Sequence, residues 1–182
     1  GGQIGKALLN AAGEDLEKEY STFGRLETGT VVMTTAGKLH AKKLLHMVTK
    51  TTAVISDNSM IHDAVRQCLN EADDWGFTSL SLPAVGTGHL QKDAKESAEI
   101  LYSCIEEYQK RKKKKLKLIK IVILEENIFA DFKKAFEEKD PTMSTEPEVI
   151  PRMTRQQITL EIAADRTSDM ARITEELKKM ET

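Results

Sequence analysis

Cysteine is scarce in this 182-residue chain: Cys68 and Cys104 are the only two. Both fall inside helical patterns, which excludes a disulfide framework and fits a reducing compartment, so the protein is expected inside the cell, in nucleus or cytoplasm. Neither has a histidine or a second cysteine beside it, so neither reads as a catalytic nucleophile. The four histidines, His40, His46, His62 and His89, share no metal-ligand spacing, and no paired carboxylates stand out. No apolar run approaches the roughly 18 residues that cross a membrane, and nothing resembles a signal peptide. Net charge is −2, which gives the molecule as a whole no electrostatic bias toward nucleic acid. Aromatic residues make up 5% of the chain. The single tryptophan, Trp75, reads as packing at a helix end rather than stacking on a base.

What is present is 40% apolar and 31% charged residues, a balance that suits one globular domain with a small appendage. The chain opens at Gly1 without methionine, inside a motif-like stretch, and is expected to be a piece of a longer protein. Helical spacing of Ile4, Ala7, Leu8, Ala11 and Ala12 predicts a helix over 3–12. Thr30 to Thr34 and Lys43 to Val48 read as neighbouring strands joined by a turn at Ala36-Gly37-Lys38. A helix over 59–75 follows, with Ile61, Ala64, Val65, Cys68, Leu69 and Ala72 on one face and Gly76 ending it. Phe77 to Leu82 is a strand, and Lys92 to Arg111 a helix whose stripe is Ala94, Ala98, Leu101, Ile105 and Tyr108. Leu116 to Leu124 is a strand whose core is apolar at nearly every position, as in a strand covered on both faces. Asn127 is placed to cap a last helix carrying Ile128, Phe132 and Phe136. Alternating strands and helices predict an α/β sandwich around a mixed, mostly parallel sheet, with any ligand beyond the carboxyl ends of the strands.

Three of the four prolines lie between Glu138 and Thr154, which reads as a linker. Beyond it, Gln156 to Ile162 alternates as a half-buried strand, and Ser168 is placed to cap a helix with Met170, Ile173, Leu177 and Met180 on one side. The expected division is a domain over 1–138, a linker over 139–154, and the start of a second, incomplete domain over 155–182. The other option for that tail is docking onto the first domain.

The stretch Leu82-Pro83-Ala84-Val85-Gly86-Thr87-Gly88-His89-Leu90 ends a strand and precedes the helix from Lys92. A strand, a glycine loop and a helix N-terminus bring backbone N–H groups together at a place that suits an anion. Glycine also lets a ligand approach the backbone closely, and Thr87 adds a hydroxyl. This wording resembles the phosphate loop of macrodomains, the ADP-ribose-binding α/β modules. Gly1-Gly2-Gln3-Ile4-Gly5-Lys6-Ala7-Leu8 with Ala11-Ala12-Gly13 is similar to the family's other glycine loop and the helix it opens. Thr28 to Leu39 and Lys43 to Val48 are similar to the strands that come next. The wording is most similar to macrodomains of the multi-macrodomain mono-ADP-ribosyltransferases, and the resemblance covers roughly residues 1 to 138, without the family's first strands.

The resemblance implies a ligand, ADP-ribose, free or attached to protein, and no resident cofactor or metal. Pro83, Ala84, Val85, Gly86, Thr87, Gly88, His89 and Leu90 would cradle one phosphate. Gly1, Gly2, Gln3, Ile4 and Gly5 would cover the other phosphate and the distal ribose. Asn127 would approach the adenine side and Phe129 pack beneath it, with a helix cap and a core aromatic as the plainer accounts of the two. The family's adenine-contacting aspartate and ribose-contacting asparagine precede the first glycine loop, so no residue here is assigned to either role. The family's phosphate loop also continues with a glycine about where Leu90 stands.

Three further readings stand beside a binding module. One is a hydrolase that releases ADP-ribose from proteins, for which no base is evident near Gly1 to Gly5. The second is an interaction domain with a lapsed pocket. The third is a nucleic-acid module using the lysine run and the tail's strand and helix. The run Lys110-Arg111-Lys112-Lys113-Lys114-Lys115 reads as a solvated helix end whose charge complements the dipole, rather than as a nucleic-acid patch. Oligomeric state has no signal in the sequence.

Overall fold

The computed structural model describes residues 3–49, 57–88, 90–141, 149–150, 153–154 and 156–161, with side chains described within 4–141. Two helices, α1 (Gln3–Ala12) and α2 (Glu14–Ser21), lead into the hairpin of β1 (Val31–Thr35) and β2 (Lys43–Met47). Then come α3 (Asn58–Asp74), β3 (Ser79–Pro83), α4 (Ala94–Gln109), β4 (Leu118–Ile123) and α5 (Glu126–Lys139). The short strands β5 (Val149–Ile150) and β6 (Met153–Thr154) pair with each other, and β7 (Gln156–Glu161) is last.

The hairpin is antiparallel, with Met33 opposite Leu45. Its turn needs Gly37, whose φ is +54°. A Cβ there would stand 2.2 Å from the Ala12 carbonyl oxygen, and the next N–H, of Lys38, donates to that oxygen at 2.9 Å. The turn thus terminates α1 as well as joining two strands. Glu19 of α2 accepts the Thr35 N–H at 2.7 Å and fixes the end of β1.

β3 and β4 are parallel, with Leu82 opposite Ile121, as a strand–helix–strand crossover through α4 requires. β7 lies antiparallel on the other edge of β4, from Leu118 opposite Glu161 to Ile123 opposite Gln156. The strand expected over 156–162 therefore forms and is seated on the sheet that carries the central loop. The helix expected from Ser168 lies outside the described residues.

The core is built from the predicted stripes. Ile61, Val65 and Leu69 of α3, Ala98, Leu101 and Ile105 of α4, and Phe132 and Phe136 of α5 are buried together with Ile119, Ile121 and Ile123 of β4. Burying an aliphatic or Phe side chain contributes about 1.5–3 kcal/mol each. Ala64 and Cys68 form a second face of α3 against Val31 of β1.

In α1 only Ala12 of the apolar residues is buried, and Ile4 and Leu8 are exposed. Three expectations change. β4 is fully buried on one face only. Leu118, Lys120 and Val122 are half-buried, so the apolar run does not mean equal cover on both sides. Asn127 caps nothing: Glu125 holds the N-cap position of α5, without a side-chain cap bond. Trp75 does not pack away, being 59% exposed at the end of α3.

Candidate ligand-binding site at the glycine loop

Pro83 ends β3, and the chain turns through Ala84 to Asp93 before α4 begins. Gly86 has φ +93°, a conformation that costs an L side chain about 1–2 kcal/mol. The loop closes on itself: Thr87 N–H donates to the Ala84 carbonyl at 3.3 Å, and Lys92 N–H to the Gly86 carbonyl at 3.0 Å. The Thr87 hydroxyl also donates to the Ala84 carbonyl, at 2.9 Å, so its proton shapes the turn. Ser97, buried in α4, donates to the Val85 carbonyl at 2.6 Å and anchors the loop to the helix behind it. Asp93 caps α4 by accepting from the N–H groups of Lys95 and Glu96.

With these bonds made, the N–H groups of Gly86 and Gly88 donate to no acceptor among the described residues. They lie beyond the carboxyl end of β3, a few residues before the positive end of α4. Donors left over in this way, with no Cβ to shield them, can hold an anionic oxygen.

Two residues shape the loop that sequence reading did not nominate. Gln91 adopts φ +51°, the left-handed conformation, and its N–H donates to the Gly88 carbonyl at 3.0 Å. The position that favours a glycine is thus Gln91 and not Leu90. Lys92 runs across the loop. A Cβ on Gly86 would meet the Lys92 Cδ at 3.0 Å, and the Lys92 ammonium donates to the Asn58 side-chain oxygen at 2.6 Å. Asn58 in turn donates to Glu96. The first turns of α3 and α4 are in this way tied to the loop between them.

Of the other candidate residues, Gly1, Gly2 and His89 lie outside the described residues. Gln3, Ile4 and Gly5 form the first turn of α1. Ile4 is exposed, and a Cβ on Gly5 would meet nothing within 4 Å. No hydrogen bond joins that turn to the Ala84–Lys92 loop among the described residues. Pro83, Ala84, Thr87 and Leu90 are partly buried around the loop and Val85 is buried beneath it. Asn127 is exposed in the first turn of α5, at the carboxyl end of β4 and so at the same end of the sheet. Phe129 is 7% exposed and belongs to the core, the plainer of its two accounts.

A shallow cleft of about 560 Å³ opens beside the loop between α3 and α4, lined by Asn58, His62, Asp63, Glu96, Glu99 and Ser103. Its carboxylates would repel an anion, so the glycine loop is the better phosphate site. Cys68 and Cys104 are buried, and burial pushes both thiols up to about 12. A thiol of that pKa is inert as a nucleophile at neutral pH.

Residues 1–101 match the Macro domain family. The chain belongs to the macro domain family. An uncharacterized protein of Sulfolobus acidocaldarius is 30% identical over 141 residues, which cover 75% of this macro domain and 76% of that protein. The human protein mono-ADP-ribosyltransferase PARP14 is 30% identical over 121 residues, 66% of this chain but 6% of its own length. Among solved structures, an Oceanobacillus iheyensis macrodomain mutant with ADPR superposes with a TM-score of 0.66 at 19% identity, covering 78% of this chain and 80% of that one.

Proposed function

We propose that this macro domain recognises ADP-ribose, free or as the modification on a protein. The observation that carries the reading is the loop after β3, where the N–H groups of Gly86 and Gly88 find no acceptor among the described residues and the start of α4 follows. A diphosphate needs many N–H donors and little else, and a loop of this kind supplies them without a metal. Membership of the macro domain family and the ADPR-bound Oceanobacillus iheyensis relative support the same ligand. Gln3, Ile4 and Gly5 would face the second phosphate and the distal ribose, and Asn127 the adenine side. Within the cell, the domain would serve as a reader inside a larger mono-ADP-ribosyltransferase-like protein, a reading supported by its similarity to a short part of PARP14.

Calorimetric titration with ADP-ribose tests this directly. Binding to the unaltered chain is expected, and Gly86→Glu is expected to abolish it, because the substitution strains a positive φ and sets a carboxylate against the phosphate. A Gly86→Glu variant that stays folded and keeps its affinity would remove the loop from the site.

A further inference from the structure

At the opposite end of the sheet from the glycine loop, two segments come together before β3 and β4 begin. One is the end of α3, Asn70 to Gly76. The other is the lysine-rich crossing from α4 to β4, Lys110 to Lys117. Asp73 joins them by accepting the N–H groups of Lys115 at 2.6 Å and Leu116 at 3.3 Å, together with the Tyr108 hydroxyl. Arg111 donates to Asn70, and the Lys115 ammonium donates to the Asp74 carbonyl at 3.3 Å.

This packing sorts the basic residues. Lys114 turns back to the Gln109 carbonyl at 2.6 Å and caps α4, as a helix end calls for. Lys110 pairs with Glu106 at 3.1 Å. Lys112 and Lys113 are exposed and make no ion pair or hydrogen bond among the described residues. Lys115 and Lys117 are exposed as well. On the α3 side of the crossing stands Trp75, 59% exposed, with the Lys43 ammonium 5.6 Å from its ring centroid. The carboxylate of Asp73 is turned inward onto its three donors, which leaves Asp74 as the exposed acid adjoining the tryptophan.

From this arrangement we infer that the Trp75–Lys113 face is a second binding surface, for single-stranded nucleic acid. An exposed aromatic ring offers a stacking platform to any base, and lysines spaced along a neighbouring segment follow a phosphate backbone. A helix end that only needed its carbonyls satisfied would use Lys114 and have no call for Lys112 and Lys113. Nor would it place the sole tryptophan in water. A free small anion would be served by the lysines alone, so the ring is what points to a base. The inference stands apart from the ADP-ribose reading, because no residue of the glycine loop takes part.

Trp75 is the only tryptophan, so its fluorescence reports this surface alone. The full chain is titrated with a 12-nucleotide oligouridylate at low salt, and in parallel with inorganic polyphosphate and with anionic phosphatidylserine vesicles. Saturable quenching by the oligonucleotide is expected, with affinity falling as salt rises. Polyphosphate is expected to bind without quenching. Paired replacement of Lys112→Glu and Lys113→Glu should flatten the plot of log affinity against log salt by about 1.4, two contacts at roughly 0.7 each. By anisotropy of a labelled oligonucleotide, Trp75→Ala should weaken binding about 5- to 150-fold, whereas Trp75→Phe should retain most of it. Circular dichroism of each variant checks that it is folded. No quenching at low salt overturns the inference, as does affinity unchanged in both the lysine and the alanine variants. Quenching by polyphosphate equal to that by the oligonucleotide would reduce the surface to a general polyanion patch. A blue-shifted response to vesicles with none to the oligonucleotide would make it a membrane face, and either result overturns the inference too.

Discussion

His46 shows how one half-buried side chain makes stability depend on pH. Its Nε2 lies 2.8 Å from the Thr34 hydroxyl, and that hydroxyl gives its own proton to the Thr35 carbonyl at 2.9 Å. Burial holds the imidazole pKa below the ordinary 6.5, with Glu19 pulling weakly the other way. The unfolded chain then binds more protons than the folded one in the range below about 6.5. Stability is complete above that range and falls as pH drops through it. The melting temperature should be lower at pH 5.5 than at pH 7.5, and His46→Phe should reduce the difference; an equal difference in the variant would clear His46 of the effect. The apolar run around His46 marked a strand but not its depth, which leaves the side chain half-buried. The roles of Gln91 and Lys92 were not legible at all. A positive φ on a residue other than glycine leaves no mark in the sequence, and a lysine before the cap Asp93 looks like any solvated lysine until its partner Asn58, 34 positions earlier, is placed beside it.

Among the elements, Asp73 is the joint between α3, α4 and β4. Burial by itself would raise its pKa, but the hydrogen bonds from Tyr108, Lys115 and Leu116 outweigh that and hold the carboxyl below its usual range. The Tyr108 hydroxyl is correspondingly pushed up to about 12, chiefly by burial and then by its bond to Asp73. Asp73→Ala leaves the buried Tyr108 hydroxyl and the Lys115 N–H without their acceptor, while the Leu116 N–H keeps the Tyr108 oxygen at 3.2 Å, a loss of about 1–3 kcal/mol. Urea unfolding should show it as a lower midpoint at unchanged slope, and Asp73→Asn, which keeps one acceptor oxygen, should lose less. A midpoint unmoved by Asp73→Ala would mean that water replaces the carboxylate. Most of these elements could be read from the sequence, since six buried positions of α3 recur at helical spacing. Their caps were harder: Asp57, which accepts the Met60 N–H at 2.8 Å, lies just before the expected start. The apolar residues of α1 gave a correct helix, but periodicity shows that a face exists and not that anything covers it.

For the molecule as a whole, the tail raises the main question of architecture. Alternation in 156–162 made a strand legible, but its partner was not, because pairing between distant segments leaves no local pattern. β7 lies along the full length of β4, so removing residues 155–182 would strip one edge of the three-stranded sheet. Deletion should lower the melting temperature by about 4 °C or more, taking about 2–4 °C per kcal/mol for a chain of this size. An unchanged melting temperature would favour the division into a domain over 1–138 and a separate unit after the linker.

The two cysteines face different neighbours. Cys68 packs with Val31 on the hairpin side of α3, and the Cys104 sulfur lies 3.5 Å from the His62 carbonyl on the α4 side. Neither thiol can react until its own seam parts. Their separate rates of alkylation would therefore clock two distinct openings of the same helix, one from each cysteine, without any label added to the protein.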